Sequence, residues 1–281
     1  MRNRSKPRTF QNGDCPTVAV VNDCLTDSNG NGRIGSMVTR HFCRPAGALI
    51  AVDHTHEAAI NLVDQLAVLD KSPGVIVVNI APRDKTDGKR FRNGTHFGYF
   101  WAGNTLVVST ISGFSLSLIR KFQLAETIHV LDLEKSADML VEKGRVSRNE
   151  GEIMKTTQFR SCFFQIPAAA FLAWSGGLPS KARSIEDLVP EAPRAIYHID
   201  CFGNMKTSLT KVEIGNPKVG EKVETRFGNL PFYPQLCQVP EGTTALILGS
   251  SGYGVPLVEI VTNGAGRNPL RAQVGDLVLD T

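Results

Sequence analysis

Asp200, Phe202 and Asn204 stand close together in the segment Ile199-Asp200-Cys201-Phe202-Gly203-Asn204-Met205-Lys206-Thr207. A carboxylate holds a cation or accepts hydroxyl donors, an amide both donates and accepts, and a ring offers a flat or cation-attracting face. Those three groups suit a small zwitterionic or nucleoside ligand. Gly203 lets the backbone bend between them without a Cβ clash. Ile196 and His198, just upstream, alternate as in a strand, so the three groups fall at a strand end. The competing reading is an ordinary β-turn with one aromatic in the core.

Three other patterns are weaker. Gly30-Asn31-Gly32-Arg33-Ile34-Gly35 matches G-x-G-x-x-G, with Asp53 about where a ribose-binding acid would lie. Seven residues, Asp23 to Asn29, separate it from the preceding strand, whereas a dinucleotide site needs the first glycine at the strand end. An NAD-dependent oxidoreductase therefore rests on the glycine run alone. Asp27-x-Asn29-x-Asn31-Gly32 copies half a calcium loop, but Val38 stands where the bidentate carboxylate belongs. An Asn-Gly-rich surface loop accounts for both matches. His54 and His56 form a two-histidine pair without a nearby third ligand, which favours one packing and one exposed imidazole and no metal site.

The elements that must position these residues read as follows. Val18–Val21, 48–52 and 75–78 are short apolar strands, and 57–69 carries a helical apolar stripe. This alternation predicts an α/β N-terminal domain with a largely parallel central sheet. Residues 98–101 and 105–108 form a hairpin around Ala102-Gly103-Asn104; 115–124, 137–144 and 167–173 are helices. Residues 179–193, rich in proline and alternating charge, read as a linker. Short β-rich runs at 195–200, 208–214, 221–227, 244–249, 257–261 and 276–280 predict a smaller all-β C-terminal barrel over 194–281. The divisions are thus a flexible basic tail (1–16), the α/β domain (17–178), the linker and the barrel.

With 281 residues and a net charge of +4, the chain has ordinary globular composition. The basic start (Arg2, Arg4, Lys6, Arg8) reads as a solvated tail, not a nucleic-acid site. No run approaches the ~20 apolar residues of a membrane span, so no membrane association is expected. Six cysteines without a C-x-x-C pair read as reduced thiols of a cytoplasmic protein.

Taken in order, five segments resemble the S-adenosylmethionine (SAM) hydroxide adenosyltransferases, relatives of the SAM-dependent fluorinase and chlorinase. Val18-Ala19-Val20-Val21-Asn22-Asp23 with Ile34-Gly35-Ser36-Met37 resembles the opening strand and turn. Val52-Asp53-His54-Thr55-His56-Glu57 resembles D-x-x-H-x, and Gly74–Asn79 stands at G-T-V-x-x-x-V-D-P-G-V-G. Gln158-Phe159-Arg160 through Leu172-Ala173 resembles T-F-H-G-R-D-x-F-A-P-A-A-A-x-L-A, and Ile199–Thr207 resembles I-D-x-F-G-N-x-x-T-N. Near the end, 249–253 and 258–260 resemble a split N-S-x-G-Y-L-E-I. The resemblance covers about residues 17 to 280.

It implies a homotrimer binding SAM between subunits, with no cofactor beyond SAM as substrate or ligand. Asp23 would grip the ribose hydroxyls; Asp200, Ser250 and Ser251 would hold the methionine end, beside Phe202 and Asn204. The reaction would be attack at C5′, giving adenosine and methionine when water is the nucleophile. The chain departs from the family where that water is activated. Asn79 replaces the Asp of D-P-G-V-G, Arg160 stands at the His of F-H-G-R-D, Cys162-Phe163 replaces the R-D pair and Ile111-Ser112-Gly113 replaces P-D-N-G. An amide is no general base and a guanidinium stays protonated. Catalytic candidates are then Asn79, Arg160 and Arg83. The alternative is a SAM- or adenosine-binding sensor without turnover.

Overall fold

The computed structural model describes residues 8–11, 13–81, 95–264 and 269–280. A seven-stranded sheet is built from β1 (Thr17–Asn22), β2 (Ala48–Ala51), β3 (Gly74–Asn79), β4 (Phe97–Ala102), β5 (Thr105–Thr110), β6 (Thr127–Leu131) and β7 (Ser180–Ser184). Its order is β2-β1-β3-β5-β4-β6-β7. The β2-β1-β3-β5 block is parallel, as the strand–helix alternation predicts. From β5 onward every pairing is antiparallel, so the sheet is mixed. Ala102 pairs with Thr105, leaving a two-residue turn at Gly103-Asn104 that is far too short for a parallel crossover.

Helices cover both faces. Val18, Val20, Val75, Val77, Leu106 and Val108 pack against α1 (Ser28–Phe42) and α6 (Ile166–Ser175). Ala19, Val21, Ile76, Val78 and Val107 pack against α2 (Thr55–Leu69) and α3 (Ser117–Lys121). Both sides of each strand are buried, which explains why these strands are continuous apolar runs without alternation.

The Asn-Gly-rich segment is not a surface loop. It is the first half of α1, whose buried Ile34, Val38 and Phe42 recur every four residues. Asp27 caps the helix by accepting from the Asn29 and Gly30 amides at 2.7 and 3.0 Å. Gly30 is required there, because a Cβ would lie 2.0 Å from the Cys24 carbonyl oxygen.

The rest of this half comprises α4 (Leu133–Glu142), α5 (Arg148–Thr156) and a π-helical turn, Ser161–Gln165, that runs into α6. The segment expected as a linker is part of the fold. Its start forms β7 beside β6; α7 (Ile185–Leu188) follows, and Ile185 and Val189 are buried. β7 carries no large apolar residue because it is an exposed edge strand, which is why its composition resembles a linker.

The second sheet contains β8 (Ile196–Ile199), β9 (Met205–Thr210), β10 (Lys222–Thr225), β11 (Gly228–Tyr233), β12 (Thr244–Gly252) and β13 (Pro256–Thr262), in the order β10-β11-β12-β13-β9-β8. Among the described residues its edge strands β10 and β8 do not pair with each other. The run 276–280 is not a strand: it makes one bridge, Ala195 to Leu277, and exchanges backbone bonds with Arg194 and Arg226. Ala195, Tyr197 and Leu257 share a core with α2 and α3, so the two sheets are joined by apolar packing. No described helix is long and apolar enough to cross a membrane.

Candidate functional site

In the parallel block, β1 lies between β2 and β3, and the connecting helices α1 and α2 leave on opposite faces. A crevice opens where such connections diverge, outside the carboxyl ends of the two strands. The residues found there are polar. Asn22 and Asn79 end β1 and β3 in register. Side chains alternate along a strand, so Asn22 follows Val18 and Val20, Asn79 follows Val75 and Val77, and Thr110 follows Leu106 and Val108, all toward the α1–α6 side.

Asp23 begins the 3-10 turn Asp23–Thr26 directly after β1. Its Oδ1 accepts from Asn79 Nδ2 at 2.9 Å and its Oδ2 from the Ala81 amide at 3.0 Å. Asn79 Nδ2 also reaches Asn22 Oδ1 at 3.3 Å, and that oxygen accepts from the Cys24 amide at 2.8 Å. The carboxylate is thereby fixed in place. Oδ1 also takes a weak bond from Cys24 Sγ at 3.5 Å. Among the described residues Oδ2 keeps a lone pair for one hydroxyl, and a second hydroxyl would displace the thiol from Oδ1.

Gln165, fully buried at the end of the π-helical turn, closes this edge from the α6 side. Its Nε2 donates to the carbonyls of Val78 (2.8 Å) and Val108 (2.9 Å), clamping the ends of β3 and β5. Gln165 Oε1 and Asn22 Nδ2 are buried without a hydrogen-bond partner among the described residues. The sequence reading did not select Gln165, Asn22 or Thr110 as site residues. An isolated glutamine inside the run Phe163-Phe164-Gln165-Ile166 was the available signal, since a buried amide must be satisfied.

Arg160 is not beside this pair. Its Nη2 donates to the Thr95 carbonyl at 2.9 Å and its guanidinium sits 5.0 Å from the Phe97 ring centroid. Burial pushes its pKa down, yet an arginine at this position remains charged. Arg83 lies outside the described residues.

The second constellation is arranged differently from the expectation. Asp200 points into its own loop: Oδ1 accepts from the Phe202 and Asn204 amides at 2.8 and 3.0 Å, and Oδ2 from Asn204 Nδ2 at 3.0 Å. Gly203, at φ +87°, makes that loop possible. Phe202 is 77% exposed, so it is not the core aromatic of an ordinary turn. Ser250 is exposed and donates its amide to Glu259 Oε1 at 3.3 Å. Ser251 is buried and its hydroxyl is committed, donating to Asp64 Oδ2 and accepting from Lys206 Nζ, both at 2.8 Å. Asp64 comes from α2 and also accepts from the Gly252 amide, tying the helix to the second sheet. Beside them Glu259 is buried; burial raises its pKa, Lys206 and the Ser250 amide oppose that, and Asp200 and Asp64 add to it.

Asp200, Ser250 and Ser251 thus share one neighbourhood, and Asp23 and Asn79 another. Among the described residues no hydrogen bond or ion pair joins the two. His54 is exposed and His56 buried, with their Nδ1 atoms 2.8 Å apart. Burial and then His54 push the His56 pKa down to about 4, against Glu57. Among the described residues no group of three or more His, Cys, Asp or Glu is placed to hold a metal.

No protein-family model matches the chain, and no curated protein matches it. Among solved structures it is similar to an uncharacterized conserved protein from Thermotoga maritima, with a TM-score of 0.65 at 15% identity over 92% of this chain and 98% of that one. It is also similar to a conserved hypothetical protein from Thermus thermophilus, with a TM-score of 0.61 at 20% identity over 94% of this chain and 98% of that one. At these identities the likeness concerns the fold, and it extends over both sheets.

Proposed function

We propose that this chain binds an adenosyl-bearing small molecule, SAM in the first instance, at the carboxyl edge of the first sheet, and acts at C5′ of the adenosyl group. The observation that carries the reading is Asp23, a carboxylate at the switch between β1 and β3, held by Asn79 and Ala81, with a lone pair left on Oδ2 and only the weak Cys24 thiol bond to displace on Oδ1 among the described residues. A vicinal diol supplies two hydroxyl donors to such an acceptor, and charge-assisted bonds of this kind are the strong ones. Displacement at C5′ needs no general acid, since the sulfonium leaves as a neutral thioether. It needs an in-line nucleophile and exclusion of bulk water.

Asn79 bears on how that nucleophile is handled. Its amide donates to Asp23, so it orients the ribose-binding carboxylate and takes no proton from water. This favours the second reading, a SAM or adenosine sensor without turnover, because losing an acid–base group typically costs about 10²–10⁴-fold in rate. Within one chain the Asp23 and Asp200 neighbourhoods are separate. A ligand contacting both would lie between copies, which suits the homotrimer, and a second sheet curled into a barrel would present the Asp200 loop to the neighbouring subunit. The NAD reading loses its support: Asp27 already places a carboxylate at the N-terminus of α1, where a pyrophosphate would have to lie.

Titration calorimetry with SAM and with adenosine, on the wild type and Asp23→Ala, tests the binding. The expected result is a saturable heat that the substitution weakens by about 1–3 kcal/mol. Equal affinity in both proteins would remove Asp23 from the site. Chromatography of SAM incubated with the protein, with and without halide, separates turnover from simple binding.

A further inference from the structure

A cavity of about 770 Å³ lies on the opposite half of the first sheet, between the start of β4, the β6–α4 junction, the π-helical turn and β7. Its volume is that of a small-molecule site. None of the residues around Asp23 lines it. The floor is apolar, made by Phe97, Phe164, Leu131 and Leu133, and the first three of these are almost fully buried.

The charge around that floor is unbalanced. Arg160, Lys135, Lys181 and Arg183 line the cavity, against the carboxylates of Asp132 and Glu134. Asp132 is engaged by Lys135 at 3.0 Å and also caps α4 by accepting from the Lys135 amide. Glu134 is exposed on the first turn of α4, where the helix dipole already favours a negative group. Arg183 has only a long contact, 3.9 Å, to Asp187. Arg160 is the distinctive member. It is half-buried, it lies against the Phe97 ring, and its one hydrogen bond among the described residues goes to a neutral carbonyl. A guanidinium withdrawn from water needs an anion or several acceptors to offset its desolvation, and its planar fork matches a carboxylate or phosphate.

We infer that this cavity binds a small organic oxyanion with an apolar body: the head group on Arg160 with Lys181 at the mouth, and the body over Phe97, Phe164 and Leu133. Carboxylate and phosphate heads share the required chemistry. The site stands apart from Asp23, so it neither depends on the adenosyl reading nor falls with it.

Calorimetry on the full chain tests this with 3-phenylpropanoate, phenyl phosphate, the neutral 3-phenylpropanamide and inorganic phosphate. At least one aryl oxyanion binds; the amide and inorganic phosphate bind at least tenfold more weakly than it does. Whichever aryl oxyanion binds more tightly identifies the head group. Arg160→Gln reduces that affinity at least tenfold, and Arg160→Lys restores only part of it. Lys181→Gln, on an exposed strand, weakens binding severalfold and leaves the unfolding transition unchanged, which guards against misfolding of the Arg160 variants. Binding of the amide as tight as that of the acid, binding of inorganic phosphate as tight as that of phenyl phosphate, full affinity in Arg160→Gln, or no binding of either aryl oxyanion would each overturn the assignment. SAM affinity is unchanged in Lys181→Gln; a parallel loss of SAM binding in that variant would merge the two sites and overturn their separation.

Discussion

Asn79 Nδ2 donates to Asp23 Oδ1 at 2.9 Å across the carboxyl ends of two adjacent parallel strands. The Asn79 amide donates this hydrogen bond at any pH, whereas an acid at the same position could donate it only while protonated. Asn79→Asp would set two carboxylates in contact, and such a pair retains a proton to higher pH than either acid alone. The introduced acid would then have a folded-state pKa above its unfolded value. The variant is therefore nearest to wild-type stability in acid and loses about 1–3 kcal/mol as pH rises through that pKa. Denaturant melts at pH 4 and pH 8 check this. The same variant, assayed by chromatography with SAM, is expected to release no adenosine rapidly, because Arg160 is turned to Thr95 and Phe97 and no described base other than Asp23 stands beside the introduced acid to share its proton.

Asp200 serves its own loop through three hydrogen bonds, so an alanine there confounds ligand binding with loop collapse. Asp200→Asn separates them. Its Oδ1 still accepts from the Phe202 and Asn204 amides, while the negative charge is gone. If Asp200 holds an ammonium group, SAM affinity falls about tenfold or more with the loop intact, as judged by hydrogen exchange at 202–204. An unchanged affinity would leave Asp200 a purely structural residue.

Ser251 and Ser250, adjacent in sequence, have different tasks. Ser251 Oγ links Asp64 of α2 to Lys206 of β9, and Ser250 faces solvent. Ser251→Ala is expected to cost about 1–2 kcal/mol of unfolding free energy, leaving Asp64 and Lys206 at 4.0 Å without their bridge. Ser250→Ala should cost almost nothing in stability and should act on ligand affinity alone. A denaturation series on both variants, paired with calorimetry, tells these roles apart.

The parts of the fold legible in the sequence were those whose residues announce burial. β1 and β3 are continuous apolar runs because helices cover both their faces, and the Gly103-Asn104 turn fixes the hairpin. What was illegible had its cause elsewhere. α1 begins in Asn and Gly residues that argue against a helix, and it forms because Asp27 caps it and the packing of Ile34, Val38 and Phe42 offsets their cost. α5 buries little beyond Gly151 and Met154, so no stripe marks it, although Ser147 and Glu150 form a capping box that could have been read. β7 is polar throughout because it is an edge. β11 contains Pro231, which pairs with Lys222 of β10, while its ladder to β12 begins only at Phe232. Asp23 and Asn79 were visible as residues, but their contact depends on register between strands more than fifty positions apart. Gln165 became a site residue only when the π-helical turn placed it under β3 and β5.

His56 carries the last prediction. It is buried against Phe114 and Tyr197, with ring centroids 4.6 and 4.8 Å away, and its Nδ1 lies 2.8 Å from His54 Nδ1. Burial lowers its pKa to about 4 from an ordinary 6.5. The folded state then binds fewer protons than the unfolded chain between those values, and stability falls as pH drops through that window. The loss approaches about 3 kcal/mol by pH 4. Glu57 acts lower down. Burial works to raise its pKa, and the bonds from His198 and the Asp53 amide outweigh burial, so its contribution is lost only as pH falls below the ordinary glutamate range. His56→Phe keeps a ring against Phe114 and Tyr197 and removes the titrating nitrogen. Melting temperatures taken from pH 7 to pH 4.5 should fall steeply in the wild type and much less in the variant. Parallel slopes in the two proteins would assign the acid sensitivity over this range to groups other than the buried imidazole.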